Sequence, residues 1–466
     1  MNEQTVDLIV IGAGPAGMSA AVEATVRGLS VVVLDEQGSA GGQIYRNVQQ
    51  ADAHQRRVLG SDYEAGAQLV AEFLQCGARF LSGAAIWQVT PERQVHFLIE
   101  GRAQILQGRH VLIATGAFER PMPIPGWTLP GVMTAGAGQI LLKNAALVPR
   151  GPVVLAGCGP LLYLLAVQYL RAGVAIEALV DTSGTGDLVR AWREVPSALP
   201  GWRDLLKGLQ LLATLKRAGV RHFRNARNLR VEAQEHAQAL SFECGSRSWT
   251  LPASLVLLHQ GVVPNTQISW SLRLEHDWSE QQLCWIARRD KDGETSLAGV
   301  FIAGDGGAIG GAQVARLEGR LTALAVAARV GAINAHQARD LAAPYRKALA
   351  RQRAARPLID ALYRPLLQNR VPADEVIVCR CEEVTAGSIR QFVELGCLGP
   401  NQTKAFGRCG MGPCQGRQCG LSVTQIIAEQ RRVPSAEVGY YRIRSPLKPI
   451  TLSQLANEEP LTQEPV

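Results

Sequence analysis

A short apolar run, Asp7–Ile11, ends at glycine and has the pattern of a strand buried on both faces. The turn Gly12-Ala13-Gly14-Pro15-Ala16-Gly17 follows, and Met18–Arg27 then reads as a helix stopped by Gly28. A second apolar run, Val31–Leu34, ends in Asp35 and Glu36. The same order returns downstream. Strand Val153–Ala156, turn Gly157-Cys158-Gly159-Pro160, helix Leu161–Arg171 and strand Ala175–Val180 lead to Asp181. This recurrence predicts two copies of one α/β unit. The alternating segments Val95–Ile99 and Leu240–Cys244 predict a small antiparallel insertion in each copy.

Each part of the first unit has a mechanical reason. Gly12 permits the tight turn, Gly14 lets backbone approach a pyrophosphate, and Gly17 lets the helix pack on the strand. The helix that opens at Pro15 and Ala16 offers free N–H groups and a positive dipole end to phosphates. Asp35 stands 18 residues after Gly17, where an acid can accept hydrogen bonds from a ribose, and Glu36 is the near alternative. The second unit departs from this pattern. Leu162 replaces the third glycine, and no Arg or Lys cluster follows Asp181 to select a 2′-phosphate. A nucleotide, NAD(P)H or ATP-like, at Gly157 and Gly159 is therefore a weaker expectation than a dinucleotide on the first turn.

The C-terminal third carries different chemistry. Residues 344–371 are basic and helical in pattern, with breaks expected at Pro357 and Pro365. Six of the ten cysteines then fall close together: Cys379, Cys381, Cys397, Cys409, Cys414 and Cys419. Thr385–Leu395, between them, reads as a helix capped by Thr385 and stopped by Gly396. Four thiolates suit zinc or a [2Fe-2S] cluster equally by ligand type, but the CxxC knuckles usual for zinc are absent. The other four cysteines include no CxxC or CxxxxC pair, which excludes disulfide-reductase chemistry and leaves Cys158 as a small buried thiol.

The net charge of +8 is scattered, so nucleic-acid binding is not expected, and a basic patch supports at most peripheral membrane association. No apolar run reaches the ~18–20 residues that span a bilayer. The N-terminus lacks the basic segment of a secretory signal, so a cytoplasmic location is expected.

With Gly41-Gly42-Gln43 after the first acid, Ala114-Thr115-Gly116 closing the strand Val111–Ile113, and Gly304-Asp305-Gly306 closing another, the chain resembles flavoproteins with two dinucleotide-binding domains, the pyridine nucleotide-disulfide reductase-like class. That resemblance implies FAD on the first unit. The Gly41–Gln43 loop would lie at the pyrophosphate and ribityl chain, and Asp305 would bond a ribityl hydroxyl or phosphate oxygen. Gly261-Val262-Val263-Pro264-Asn265 matches the loop that returns the chain from the second domain to the first.

The pattern from Gly41-Gly-Gln-Ile-Tyr-Arg46 through Pro200-Gly-Trp-Arg-Asp-Leu205 to the cysteines resembles the α subunits of heteromeric dye-linked dehydrogenases. These act in cis-4-hydroxy-D-proline dehydrogenase, opine oxidase, hydrogen cyanide synthase and dye-linked L-proline dehydrogenase. The cysteine stretch is similar to a bacterioferritin-associated-ferredoxin-type [2Fe-2S] domain. The resemblance implies Cys379, Cys381, Cys414 and Cys419 as ligands, with Cys409 an available substitute. It also implies an amino-acid-oxidase-like β flavoprotein that oxidises the substrate, hydroxyproline first, in some members a small γ [2Fe-2S] subunit, an FMN at a subunit interface, and a quinone or dye acceptor. The expected division is an FAD domain at 1–125 and 285–343, a second domain at 126–284, a connector at 344–371, the cluster domain at 372–440 and a tail at 441–466. A free-standing NAD(P)H:acceptor reductase is the alternative function. No catalytic acid–base constellation stands out, and Arg120 and Arg193 read as surface or interface arginines.

Overall fold

A computed structural model describes residues 5–233 and 237–461. The first four residues of the expected FAD domain, three in the second unit's insertion and the last five of the expected tail lie outside the described residues.

The first unit is built on a parallel sheet with Arg79–Ser82, Val31–Asp35, Val6–Ile11, Arg102–Ile113 and Val300–Ile302 in spatial order. Leu8, Ile9, Val10, Val33 and Leu34 have no exposed surface, which is why these strands read as unbroken apolar runs. Ala85–Val89 and Gln94–Ile99 add an antiparallel extension on Arg102–Ile113. The helix Pro15–Val26 lies along the helix Ala312–Arg329. Small residues let them cross closely: a Cβ at Gly304 would stand 3.0 Å from the Ala16 Cβ, and one at Gly319 would overlap the Ala16 carbonyl. Each helix follows a strand of one parallel sheet, so both N-termini lie at the carboxyl ends of the strands, where this architecture places ligands.

The second unit repeats the plan with His222–Phe223, Ile176–Asp181, Val153–Cys158, Leu255–Gln260 and Val132–Thr134, all parallel. Its antiparallel insertion consists of Arg227–Ala233, Ala237–Cys244 and Arg247–Pro252. The chain crosses between units along Ala117–Glu119 and Val262–Pro264, which pair antiparallel. Arg120, read from sequence as a surface or interface residue, is instead buried there. Its guanidinium donates to the carbonyls of Leu283 (3.0 Å) and Gln282 (2.6 Å), anchoring the crossing to the segment that returns to the first unit.

The helix Ala335–Arg353 begins nine residues before Pro344 and passes through it, because Asn334 and Gln337 form a reciprocal capping box at its start. The next helix, Arg356–Leu362, opens with Pro357 in its first turn. Beyond it, the hairpin Ile377–Cys379 with Val384–Thr385 and the helices Ala386–Glu394, Pro400–Gly407 and Gly420–Arg431 form the cysteine-bearing region. The Thr385 hydroxyl accepts the Ser388 N–H at 3.2 Å, the predicted cap.

This region is not set apart from the first unit. Ile9, Val32, Val111 and Ile302 of the first sheet share one hydrophobic core with Cys379, Cys419, Ile426 and Tyr441. Nor does the segment after residue 440 hang free as the word tail implies. Tyr441, Ile443 and Leu447 are buried, the Leu447 N–H donates to Trp87 O at 2.8 Å, and Glu459–Pro460 pairs with Gln104 and Ile105. The segment is a strap running from the cysteines back over the first sheet.

Candidate functional site

The first glycine turn is a cradle with backbone on all sides. Gly12 has φ +107°, and a Cβ there would stand 2.5 Å from Ala114 O. Gly14 and Gly42 face each other, so that a Cβ at Gly42 would come within 2.8 Å of the Gly14 Cα. Gly14 caps the helix Pro15–Val26 with no side chain bonding the free N–H groups, and a Cβ at Gly17 would overlap Gly12 O. A cleft of 380 Å³ opens beside Gly42, lined by Gln37, Gly38, Ser39, Arg46, Gln50 and Asn144. The Nε of Arg46 is buried there with no hydrogen-bond partner among the described residues. An orphaned guanidinium N–H beside a helix N-terminus is a donor set suited to phosphate.

Asp35 shapes the rim of this cleft. Its two oxygens accept Ala13 N–H at 2.6 Å and Gln37 N–H at 2.7 Å, and burial pushes its carboxyl above the usual range. Glu36 points outward and pairs with Lys448 of the strap. The remaining predicted residues converge on the same end of the sheet. Thr115 Oγ1 donates to Asn265 O at 3.3 Å, and Gly116, at φ +64°, lies near Gly306, where a Cβ would stand 3.4 Å from Gly116 O. Asp305 Oδ1 accepts the N–H groups of Gly310 and Gly311, both at 2.8 Å, and so fixes the loop that leads into the helix Ala312–Arg329. Burial raises its carboxyl pKa.

Two supports had no sequence signal. Glu318, a turn and a half into that helix, accepts the Gly304 N–H at 2.7 Å and pairs with Arg289 and Arg353, locking the Gly304-Asp305 turn. Lys143 is buried and donates to Gln43 O (3.0 Å) and Gln139 Oε1 (2.9 Å), holding the Gly41–Gln43 loop. Burial brings its ammonium down to about 7. Glu318 acts from 14 positions away and Lys143 from 100, beyond the reach of any local motif.

The second turn is closed by side chains. Gly159, at φ +121°, would bring a Cβ within 3.0 Å of the His259 Nε2, while His259 Nδ1 pairs with Glu119 at 2.6 Å. Leu162 fills the third-glycine place and is fully buried. Asp181 has no exposure. Its carboxylate accepts the hydroxyls of Tyr163 and Ser183 and the Ser183 N–H, and His222 stands 3.4 Å away. Cys158, buried with its thiol pushed up to about 12, contacts the Tyr363 carbonyl at 3.5 Å. An acid so fully occupied has little left for a ribose.

The thiols fall into two groups. The sulfurs of Cys379, Cys409 and Cys419 lie within 4.8 Å of one another, all buried. Hydrogen bonds from the Cys409 and Cys419 thiols bring Cys379 down to about 2, and Cys409 is pushed up to about 12 by the negative sulfur beside it. Three buried sulfurs this close are a donor set that a metal ion would bind by displacing their protons. Cys381, exposed, and Cys414, half-buried, stand together nearer the surface. The predicted four thus divide between the groups, and Cys409 joins Cys379 and Cys419. Cys397 stands outside, donating to Gly399 O at 3.3 Å. Tyr441 backs the shell, its hydroxyl 3.4 Å from Cys409 Sγ. Gly410 and Gly416 lie against its ring, and a Cβ at either would meet it at 2.5 or 2.6 Å, which explains the glycine richness around Cys414.

Comparison with known proteins agrees with this layout. Residues 6–319 match the family model described as pyridine nucleotide-disulphide oxidoreductase, and 374–459 match the sarcosine oxidase A3 domain. The chain is similar to the A subunit of opine oxidase from Rhizobium meliloti (strain 1021), with 45% identity over 97% of this chain and 98% of that one. It is 30% identical to the HcnB subunit of hydrogen cyanide synthase from Pseudomonas protegens, over 96% of each. Its fold resembles the crystal structure of L-proline dehydrogenase from P. horikoshii, with a TM-score of 0.72 at 17% identity over 97% of this chain and 79% of that one. Among the described residues no helix is long and apolar enough to cross a membrane. The chain belongs to the pyridine nucleotide-disulphide oxidoreductase family and, within it, to the flavoproteins that resemble the A subunits of opine oxidases.

Proposed function

We propose that this chain holds FAD on its first glycine turn and a [2Fe-2S] cluster in its thiol shell, and relays electrons from a companion subunit that oxidises an amino or imino acid. One observation carries the reading. The sheet that carries the open phosphate cradle shares one hydrophobic core, through Ile9, Ile11, Val32 and Val111, with the buried thiols Cys379, Cys409 and Cys419, in a chain similar along its length to opine oxidase A subunits.

When bound, FAD accepts electrons in pairs and gives them up singly, and a [2Fe-2S] centre cycles by one. The chain positions and insulates these groups. Gly12, Gly14, Gly17, Gly41 and Gly42 would admit the diphosphate, the helix opening at Pro15 and Ala16 would face it, and Arg46 would bond it. Asp35, with Glu36 beside it, would take the ribose. Gln43, Ala114, Thr115, Gly116, Gly304 and Asp305 would line the ribityl end. Cys379, Cys381, Cys414 and Cys419 would ligate the irons, with Cys409 an available substitute for one of them. Tyr441 would keep water from the inner thiols.

The similar opine oxidases make an opine the first substrate to assay, and hydroxyproline the second. Bond-breaking falls to an amino-acid-oxidase-like companion, with a quinone or dye as acceptor and, at most, peripheral contact with a membrane. The occupied state of Asp181 weighs against direct NAD(P)H oxidation. The test is anaerobic dye reduction by the purified chain with and without its companion. Substrate-dependent reduction only in the pair supports the relay, and full activity of the chain alone overturns it.

A further inference from the structure

The strap leaves the thiol shell at Tyr441, whose side chain has no exposed surface. Its hydroxyl stands 3.4 Å from Cys409 Sγ and 3.8 Å from Cys419 Sγ, two of the three grouped thiols. A third neighbour is Thr403 Oγ1 at 3.4 Å, but the Thr403 hydroxyl donates its own proton to Pro400 O at 2.7 Å. A phenol keeps its single proton at neutral pH, and here it has three acceptors in reach. An oxygen acceptor at 3.4 Å lies beyond good O–H···O range, whereas sulfur is the larger atom and accepts at that distance. Metal binding turns the thiols into thiolates, and a charged acceptor takes the proton over a neutral hydroxyl.

The ring is held in this direction from several sides. Gly410, at φ +85°, lies against the hydroxyl-bearing carbon, where a Cβ would stand 2.5 Å away, and one at Gly416 would meet Cδ2 at 2.6 Å. Lys404 Nζ lies 5.1 Å over the ring centroid, and Tyr440 packs edge-on at 5.9 Å. Farther along, Ile443 is buried, and Leu447 and Lys448 fasten the strap to Trp87 O and to Glu36. A hydroxyl fixed in this way needs no reorientation when charge builds on the sulfurs.

We propose that the Tyr441 hydroxyl donates to the inner thiolates of the cluster site and holds the reduction potential of the cluster up. The inference rests on the reading of the thiol shell as a [2Fe-2S] site, and it makes Tyr441 a positioning residue that acts on the irons through their sulfur ligands. Reduction adds one negative charge, and a donor aimed at the sulfurs stabilises that state more than the oxidised one. The sign separates this role from water exclusion alone. Water admitted to the thiols favours the more negative state and raises the potential, whereas removing the hydroxyl and keeping the ring lowers it.

The test is a redox titration of the anaerobically purified full chain, followed by electron paramagnetic resonance, for wild type and Tyr441→Phe. Tyr440→Phe, which removes a buried phenol bonded to Gly416 O, serves as control. Tyr441→Phe is expected to keep wild-type iron and sulfide while its reduction becomes about tenfold less favourable, a fall of about 59 mV for a one-electron couple. The control is expected to keep the wild-type potential. An unchanged or raised potential on an intact cluster in Tyr441→Phe, or an equal fall in Tyr440→Phe, overturns the proposal. Should Tyr441→Phe assemble no cluster, wild type grown with 3-fluorotyrosine decides, because a more acidic phenol is a stronger donor. Its potential is expected to rise, and an unmoved potential overturns the proposal. Wild type without any [2Fe-2S] signal overturns the underlying reading as well, whereas a present signal with an unmoved potential overturns this inference alone.

Discussion

The two glycine turns start from the same strand, glycine and proline, and diverge in what stands around them. At the first, backbone faces backbone: Gly14 looks onto Gly42, and Arg46 brings a free N–H to the cleft. At the second, His259, Leu162 and Tyr363 occupy the surroundings, and the acid at the next strand's end is fully buried and hydrogen-bonded. Backbone geometry is therefore duplicated while ligand capacity is not. The capacity lies in side chains contributed from elsewhere in the chain.

The sharpest way to break this contrast is to fill each turn. Gly42→Val should lower bound flavin by about tenfold or more, because its side chain would drive into Gly14, while iron content stays at the wild-type level. Gly159→Ala, at the second turn, should leave the flavin spectrum intact. Equal flavin loss in both variants would mean that the turns are not functionally distinct.

Next in size is Leu162→Ala. Removing a fully buried leucine should cost about 2–5 kcal/mol in urea unfolding, and it should not confer NADH-dependent bleaching of the flavin. Bleaching would show that the leucine alone had closed a working site. Tyr163→Phe should cost about 1–3 kcal/mol, since it deprives the buried Asp181 carboxylate of a donor.

Taken per pH unit, the smallest effect belongs to Lys143. Its folded pKa, near 7, lies below the ordinary lysine value, so the unfolded chain binds more protons between those limits. Stability from this group is lowest below pH 7 and rises toward alkaline pH. Relative to Lys143→Met, wild type should gain at most about 1.4 kcal/mol per pH unit between pH 7 and 10, read from thermal melts. A constant difference across that range would refute the assignment.

How much of this was legible in sequence follows the same division. Strands such as Val31–Asp35 and Val153–Cys158 announced themselves because burial on both faces leaves an apolar run. The glycines did so because only they tolerate the turn. The Thr385 cap was equally plain. Glu318 and Lys143 were invisible because each acts across more than a dozen intervening positions, with no local pattern. The strap was hidden by its mixed composition, and its buried tyrosines gave no periodicity. Arg120 was misplaced because an arginine is usually a surface residue, and here two backbone carbonyls satisfy it in the interior. For the cysteines, spacing conveyed a cluster but not its partition, since the grouping of Cys409 with Cys379 and Cys419 arises only in the folded chain.

The most direct test of the account is a count of metal and sulfide on the anaerobically purified full chain, with electron paramagnetic resonance after reduction. The account predicts two irons and two sulfides per chain, abolished in Cys379→Ser and kept in Cys397→Ser, alongside bound FAD. One zinc per chain without sulfide, or iron that survives Cys379→Ser, would contradict it.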